Sequence, residues 1–196
     1  MIPIIDAGHG SRNGHLIVTP GKRSPFDEHP LVEGEFNRAI AFRIIELCEL
    51  HRIPYHTCFH TWKDYDLHHR AWICNEIYEK NPNVYTLSIH ANGGGGEGVE
   101  VYTSPGETRS DPIASLFKIE YKNILVGVNL RSDWSDGDWD KEEKLYMLTR
   151  TRCPAVLTEN GFMDHRNDVR KLRNPVYRDA IAKVHFNVIK TLWQKR

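Results

Sequence analysis

The sequence lacks an excess of charge of either sign. Its 196 residues contain 26 Lys plus Arg and 26 Asp plus Glu, so the formal net charge is +0. A chain without a net positive field has no global attraction for nucleic acid or for an anionic membrane. We therefore expect a local, specific partner, with no nucleic-acid and no membrane partner. The oligomeric state stays open, with a monomer favoured.

Long apolar runs and an export leader are also missing. The apolar stretch ILVGV at 124–128 is far shorter than a membrane span. The first residues have no basic segment followed by an apolar one, which is the pattern of a signal peptide. These absences predict a soluble chain without a visible signal peptide.

Cysteine is scarce and histidine is abundant. No two of the 4 cysteines (Cys48, Cys58, Cys74 and Cys153) have the C-x-x-C spacing of a redox or thiolate zinc site, and three lie in apolar stretches. We expect buried free thiols rather than disulfides. The 11 histidines favour a metal site, because neutral imidazole is the commonest side-chain metal ligand.

The length and the alternation of elements predict one α/β domain. A chain of 196 residues without internal repeats has the size of a single domain with a real core. Strand-like runs alternate with helical periodicity, which predicts a mostly parallel central sheet with helices on both faces. The predicted strands are 2–5, 53–59, 84–89, 99–102 and 154–158, and the predicted helices are 35–50, 66–80, 111–123, 140–151 and 174–194.

Two segments do not fit this alternation. Residues 11–32 are rich in proline and glycine and read as a long loop, and loops of that length are usually functional or disordered. Residues 131–140 combine aspartates with Trp134 and Trp139, at spacings that do not match a calcium-binding EF-hand. This second segment is either a solvated loop whose Asp140 caps the next helix, or a wall of a binding site.

Three predicted strands run into ionisable residues. IIDAGHG leads to His9, LSIHAN leads to His90, and PAVLTENGF leads to Glu159. A single histidine after a strand is ordinary, but the carboxyl ends of parallel strands share one edge of the sheet, where open α/β sheets bind ligands. The sequence therefore predicts a functional site at that edge.

A catalytic zinc site needs three protein ligands and one open position for water. His9 and His90 supply two of them, and LVEGEFNRAIAF offers Glu33 and Glu35 at the start of a helix. Acidic residues in a first helical turn also complement the helix dipole, which accounts for one of the two without a metal. The residues alone leave the choice between Glu33 and Glu35 open.

The ordered set of motifs resembles the zinc-dependent N-acetylmuramoyl-L-alanine amidases, which cut peptidoglycan. The motifs are IIDAGHG, EGEFNRAIA, RAWICNEI, LSIHAN, GVEVY and PAVLTENGFMDH, and the resemblance runs from residue 2 to about residue 190. It implies one Zn²⁺ per chain, held by His9, Glu33 and His90, with Glu159 as the catalytic glutamate. The family spacing, a Glu four residues before an Asn, favours Glu33, which precedes Asn37, over Glu35.

The resemblance also implies an activity. Zinc-activated water would cleave the amide between N-acetylmuramic acid and L-alanine, with Glu159 as general base and then general acid. The enzyme, an endolysin or autolysin, would act at the cell wall, in the periplasm or outside the cell, reached by export or with a phage lysis helper. Residues 1–196 would form one catalytic domain without a separate wall-binding domain. The alternatives are a zinc-dependent stem-peptide carboxypeptidase or endopeptidase, and a non-catalytic wall-binding homologue.

Several further residues are candidates for supporting roles. Asp6 and Asn92 would orient the histidines or stabilise turns. Asn37 and Arg70 belong to matching motifs, although a structural role, as a surface or ion-pair arginine, explains Arg70 better. His165 occupies a position where the family usually has a non-aromatic polar residue. The resemblance therefore implies no role for His165. The glycine run 93–96 would leave room for substrate beside His90.

Overall fold

The computed structural model describes residues 1–26, 28–135 and 137–195. The strands are β1 (Ile2–Ala7), β2 (Arg12–Asn13), β3 (Leu16–Ile17), β4 (His56–Thr57), β5 (Val84–Asn92), β6 (Glu100–Thr103), β7 (Lys141–Glu142) and β8 (Ala155–Phe162). The helices are α1 (Glu33–Leu50), α2 (Leu67–Lys80), α3 (Asp111–Ile124), α4 (Tyr146–Thr149), α5 (Arg166–Arg173) and α6 (Pro175–Gln194).

Six strands form the central sheet in the order β4-β1-β5-β8-β6-β7. Each pairing in this sheet is parallel except that of β6 with β8. Strands β1, β5 and β8, which carry the three motifs, are neighbours in the middle of the sheet. The prediction of a mostly parallel α/β sheet is confirmed.

Helices cover both faces of the sheet, as predicted. Ile5 and Leu87 point to a core shared with α1, α3 and α6, whereas Ile4 and Val84 pack with Cys58 and with α2 on the opposite face. The alternation follows from the two-residue period of a strand. All four cysteines are free and buried, which confirms the prediction of buried thiols.

The central strands are longer than the apolar runs that predicted them. Strand β5 continues to Asn92 and β8 to Phe162, so His90 and Glu159 lie within strands rather than just beyond their ends. Parallel pairing between the two strands extends through this polar region, and it includes His90 and Glu159 in the sheet. The predicted strand at 53–59 is reduced to the two residues of β4, which pair only with β1 at the sheet edge.

The predicted helix at 140–151 is wrong. Residues Lys141–Glu142 form an edge strand beside β6, and only the single turn Tyr146–Thr149 is helical. The Thr103 hydroxyl donates to the buried Asp140 carboxylate (2.8 Å) and ties this segment to β6, so Asp140 caps no helix. Conversely, α5 was not predicted, because its eight residues are mostly charged and only Val169 and Leu172 give it an apolar face.

The long loop is more ordered than its composition suggests. It contains the short hairpin of β2 and β3, and Arg23 forms an isolated bridge with Val32. The Glu33 amide donates to the Lys22 carbonyl (2.9 Å), which fastens the loop to the start of α1. Asp27 lies outside the described residues. Within the ranges that the structure describes, no helix has the length and apolar character needed to cross a membrane.

Candidate metal centre and active site

Three distant parts of the chain bring two imidazoles and one carboxylate together. His9 follows β1, His90 lies in β5, and Glu33 begins α1. Glu33 Oε1 is 2.9 Å from His90 Nδ1 and 3.5 Å from His9 Nε2. One ligand atom from each of the three residues lies within 4.8 Å of the others. The structure thus places the predicted residues in one cluster.

Close backbone packing explains the glycines of the first motif. A Cβ at Gly8 would run into the His90 ring, and a Cβ at Gly34 would run into the Gly10 carbonyl. The helix that carries Glu33 therefore packs directly on the loop that carries His9. His9 itself has φ 58, in the left-handed region, where histidine is among the more tolerated non-glycine residues.

Hydrogen bonds from α1 hold the His9 loop in place. Arg38 Nη1 donates to the His9 carbonyl (2.5 Å), and Asn37 Nδ2 donates to the Gly8 carbonyl (3.0 Å). Arg38 was not predicted, although it stands beside Asn37 in the EGEFNRAIA motif. Arg38 could have been found from its place on the buried side of the predicted helix. A buried cation needs hydrogen-bond partners nearby, so such a residue is expected to contact a neighbouring segment.

The electrostatics of the cluster favour metal ligation. Burial lowers the pKa of His9 to about 4, which leaves its imidazole neutral with a lone pair to donate at neutral pH. Burial works against ionisation of Glu33, but its hydrogen bond with His90 and the nearby ammonium of Lys22 help to keep its pKa below the ordinary value. A neutral imidazole and an ionised carboxylate are the forms that bind metal.

Glu159 lies beside this cluster in an unusual environment. It pairs in register with His90 on β5 and with Glu100 on β6. Its Oε2 is buried and has no hydrogen-bond partner among the described residues. Burial, with the neighbouring charges of Glu33 and Glu100, raises its pKa well above the ordinary glutamate value. Such a carboxyl group is suited to exchanging a proton.

Glu100 is itself compensated by cations. Its buried carboxylate accepts hydrogen bonds from Arg131 (2.6 Å), Lys141 (2.8 Å) and Tyr102 (2.8 Å). Despite burial, these partners keep the pKa of Glu100 below its ordinary value. The pKa values of the two glutamates paired across the strands are thus shifted in opposite directions, upward for Glu159 and downward for Glu100.

The other predicted supporting residues bind partners other than the imidazoles. Asp6 is fully buried, pairs with Arg70 (3.1 Å) and accepts from the Ser88 hydroxyl (2.7 Å). Asn92 donates to Glu100 (2.6 Å). These contacts brace the sheet below the cluster, and the amide of Asn160 adds a further brace by donating to the His90 carbonyl (3.0 Å).

Glu35, His165 and the tryptophans lie apart from the cluster. Glu35 is exposed and pairs with Arg12 (3.2 Å). His165 lies 3.9 Å from carboxylate oxygens of both Glu97 and Asp168. Trp139 is buried and Trp134 is 60% exposed, and neither lines the cavity over the cluster, so the structure gives no support to the binding-wall interpretation of 131–140.

A cavity of about 290 Å³ opens over the cluster. Besides the residues above, Lys22, Arg23, Met163 and Asp164 line it. Sequence reasoning missed these four. The signal for Lys22 and Arg23 was the presence of basic residues in a long loop that directly follows a predicted ligand. Of the glycine run 93–96, Gly93 lines the cavity beside His90.

The donor set fits zinc. Zn²⁺ takes nitrogen and oxygen ligands at roughly 2.0–2.2 Å, and catalytic sites combine three protein ligands with an open position. Two imidazoles and a carboxylate that already lie within hydrogen-bond distance or slightly beyond can close on such an ion with small movements. The open position would face the cavity, where Glu159 also lies.

Residues 4–191 match the family described as N-acetylmuramoyl-L-alanine amidase, Amidase_3. The chain belongs to this family. Amidase_3 proteins are peptidoglycan hydrolases and are generally zinc-dependent. The family match covers almost the whole chain and includes each residue of the cluster.

Two curated relatives resemble part of this amidase family member. The N-acetylmuramoyl-L-alanine amidase CwlM of Bacillus licheniformis is 39% identical over 103 residues, which are 53% of this chain and 38% of the relative. A sporulation-specific N-acetylmuramoyl-L-alanine amidase of Bacillus subtilis is 32% identical over 103 residues, with the same shares. The alignments thus span well under half the length of each relative.

Solved amidase structures share the fold. An N-acetylmuramoyl-L-alanine amidase from Clostridium difficile 630 has a TM-score of 0.78 at 19% identity, with 100% of this chain and 97% of that chain covered. The amidase AmiC2 of Nostoc punctiforme has a TM-score of 0.75 at 21% identity, with 100% and 98% covered. At these identities the likeness establishes the fold of the chain.

Proposed function

We propose that this chain hydrolyses the amide between N-acetylmuramic acid and the L-alanine of the peptidoglycan stem peptide. One observation carries the proposal. The two imidazoles and the carboxylate that the family motifs place apart in sequence meet at one cavity, beside a glutamate whose Oε2 has no partner among the described residues. The membership of the chain in the amidase family supports the choice of bond.

We assign His9, Glu33 and His90 as the ligands of one Zn²⁺ per chain. When bound, zinc lowers the pKa of a coordinated water to roughly 7 and polarises the amide carbonyl. The protein residues hold the ligand geometry. Arg38 and Asn37 fix the backbone around His9, and Asn160 holds the backbone of His90.

We assign Glu159 as the general base and then the general acid. In this role its carboxylate takes a proton from the attacking water and returns it to the departing amine of L-alanine. Proton transfer of this kind contributes about 10² to 10⁴ in rate. Burial and the charges of Glu33 and Glu100 support this assignment, since a carboxylate with a raised pKa holds a proton more readily. Glu33 stays ionised as a ligand, so the two glutamates have different tasks.

This reaction places the enzyme at the cell wall, in the periplasm or outside the cell. The substrate would reach the cavity from its open side, with the muramoyl lactyl carbonyl directed at the metal centre. A stem-peptide carboxypeptidase or endopeptidase would use the same chemistry on another amide. A non-catalytic wall-binding homologue would bind peptidoglycan without cleaving any bond.

Product analysis separates these functions. Purified peptidoglycan is incubated with the zinc-loaded protein, and the new amino termini are labelled and identified. We expect free L-alanine amino termini and intact glycan chains. New termini within the stem, with part of the peptide left on the sugar, would identify an endopeptidase, whereas wall binding without any release would identify a binding module.

A further inference from the structure

Two basic side chains stand at the cavity over the cluster of His9, Glu33 and His90. Lys22 and Arg23 are exposed and line the cavity over the metal cluster. Among residues 1–26, 28–135 and 137–195, no carboxylate forms an ion pair with either of them. Arg12, in the same loop, differs because it pairs with Glu35 (3.2 Å). Two cations are therefore available to a ligand in this cavity.

The backbone holds both residues in a defined place. The Lys22 carbonyl accepts from the Glu33 amide (2.9 Å), and its amide donates to the Thr19 carbonyl (3.1 Å). Arg23 bridges to Val32, and the following Ser24 exchanges hydrogen bonds with Leu31 (2.8 Å each way). The loop that carries the cations is thus fastened to the residue that begins the ligand helix.

The cavity is electrically uneven. Lys22 and Arg23 line it, and so does Asp164, whose carboxylate accepts from the amides of Gly94 (2.6 Å) and Gly95 (2.8 Å). Glu33 and Glu159 also line the cavity. An anionic group on a bound ligand is repelled by Asp164 and attracted to Lys22 and Arg23, so the charges favour a position of that group beside the two cations.

We propose that Lys22 and Arg23 bind a carboxylate of the stem peptide, one residue beyond the scissile amide. This inference rests on the proposed amidase function. Consecutive residues are about 3.8 Å apart, so a carboxylate on the residue after L-alanine lies within a short reach of the bond being cut. Charge-assisted hydrogen bonds from ammonium and guanidinium groups recognise a carboxylate and not the neutral carboxamide that replaces it in amidated stems. Lys22 and Arg23 thereby determine specificity for non-amidated stem peptides.

Two matched probes test the proposal. N-acetylmuramoyl-L-alanyl-D-glutamate carries the α-carboxylate, and N-acetylmuramoyl-L-alanyl-D-isoglutamine carries the α-carboxamide in its place. The γ-carboxyl group of both probes is blocked as the methylamide, so that no second carboxylate is present. With the zinc-loaded enzyme we expect kcat/KM to be on the order of 10-fold higher for the carboxylate probe, mainly through KM. Raising the salt concentration is expected to shrink the ratio, because exposed charges are screened.

Variants assign the preference to the two residues. The double variant Lys22→Gln with Arg23→Gln should bring the ratio of the two probes towards one, whereas Lys22→Arg should keep it. The matched control Arg12→Gln removes a paired cation from the same loop and should leave the ratio as in the wild type. Calorimetric binding of both probes to the Glu159→Gln protein gives a readout that does not depend on turnover. Zinc content and melting temperature confirm that the variants are folded.

The outcomes separate the two proposals. Equal kcat/KM and equal binding of the two probes in the wild type would overturn the carboxylate subsite while leaving the amidase function intact. A preference that survives in the double variant would also overturn it. If the wild type cleaves neither probe and releases no L-alanine termini from whole peptidoglycan, the amidase function itself fails, and binding to the Glu159→Gln protein still tests the subsite.

Discussion

His90 on β5 and Glu159 on β8 occupy paired positions on neighbouring parallel strands. Backbone hydrogen bonds of the sheet, and not a loop, therefore set the distance between a proposed zinc ligand and the proposed base. Replacing either side chain leaves the other on its strand. This separation makes metal binding and proton transfer testable one at a time.

The assignment of the third ligand is tested by two alanine variants. Glu33→Ala should lower the zinc content from one per chain towards zero, because Glu33 contacts both imidazoles. Glu35→Ala is the matched control from the same helical turn, and its exposed carboxylate contacts Arg12 instead. Atomic emission on dialysed protein measures both. Full zinc content in Glu33→Ala would remove Glu33 from the ligand set.

The role of Glu159 is tested by the isosteric change Glu159→Gln. We expect zinc content to stay at the wild-type level while hydrolysis of peptidoglycan falls by about 10² to 10⁴, the contribution of a general acid/base. The control is Glu46→Gln, an exposed position of α1 far from the proposed chemistry. Turnover close to wild type in Glu159→Gln would show that another group moves the proton.

Asp140 predicts a pH dependence of stability. Burial raises its pKa to about 7, with the carboxylates of Asp138 and Asp111 adding to the rise against the hydrogen bond from Thr103. Because the folded pKa lies above the unfolded value, the unfolded chain releases this proton first, and stability falls as the pH rises from about 4 to about 7. The loss is on the order of 4 kcal/mol at most.

The variant Asp140→Asn should flatten this profile. Urea unfolding at several pH values between 4 and 8 measures it, with the exposed Glu107→Gln as the control that keeps the wild-type slope. An unchanged slope in Asp140→Asn would contradict the raised pKa.

The buried pair of Asp6 and Arg70 predicts a large loss of stability on truncation. Asp6 is 0% and Arg70 is 4% exposed. Arg70→Ala leaves the Asp6 carboxylate buried without its cation, and we expect the free energy of unfolding to fall by about 3–5 kcal/mol. Arg43→Ala breaks the exposed pair with Asp179 and should cost less than about 1 kcal/mol. Denaturant unfolding compares the two, and similar losses would refute the structural role of the buried pair.

Local patterns predicted the centre of the molecule better than its edges. The apolar runs that became β1, β5 and β8 are buried on both faces, so their composition identified them, and the parallel arrangement then placed His9, His90 and Glu159 together. Strand β7 has only two residues and depends on the contact of Asp140 with Thr103, 37 positions away. A contact between residues so far apart in sequence leaves no trace in the local hydrophobic pattern, and that pattern alone resembled a helix.

The walls of the cavity were hidden for the same reason. Lys22 and Arg23 line it because their loop bonds to the start of α1, and Asp164 does so because the amides of Gly94 and Gly95 bind its carboxylate. Each of these contacts joins residues that come together only in the folded chain, so the sequence pattern did not show them. The helix α5 escaped prediction because its apolar face consists of two residues.

The order of the strands has a consequence for the synthesis of the protein. The proposed ligands all lie within the first 90 residues, whereas Glu159 lies on β8, which joins the sheet between β5 and β6. While the chain is being made, the β8 side of β5 stays an open edge with unpaired backbone groups until residues 155–162 emerge. A nascent chain can bring the proposed ligands together early, but it still lacks the proposed base and an adjoining central strand. The proposed hydrolysis therefore has to wait until β8 has been translated and has joined the sheet.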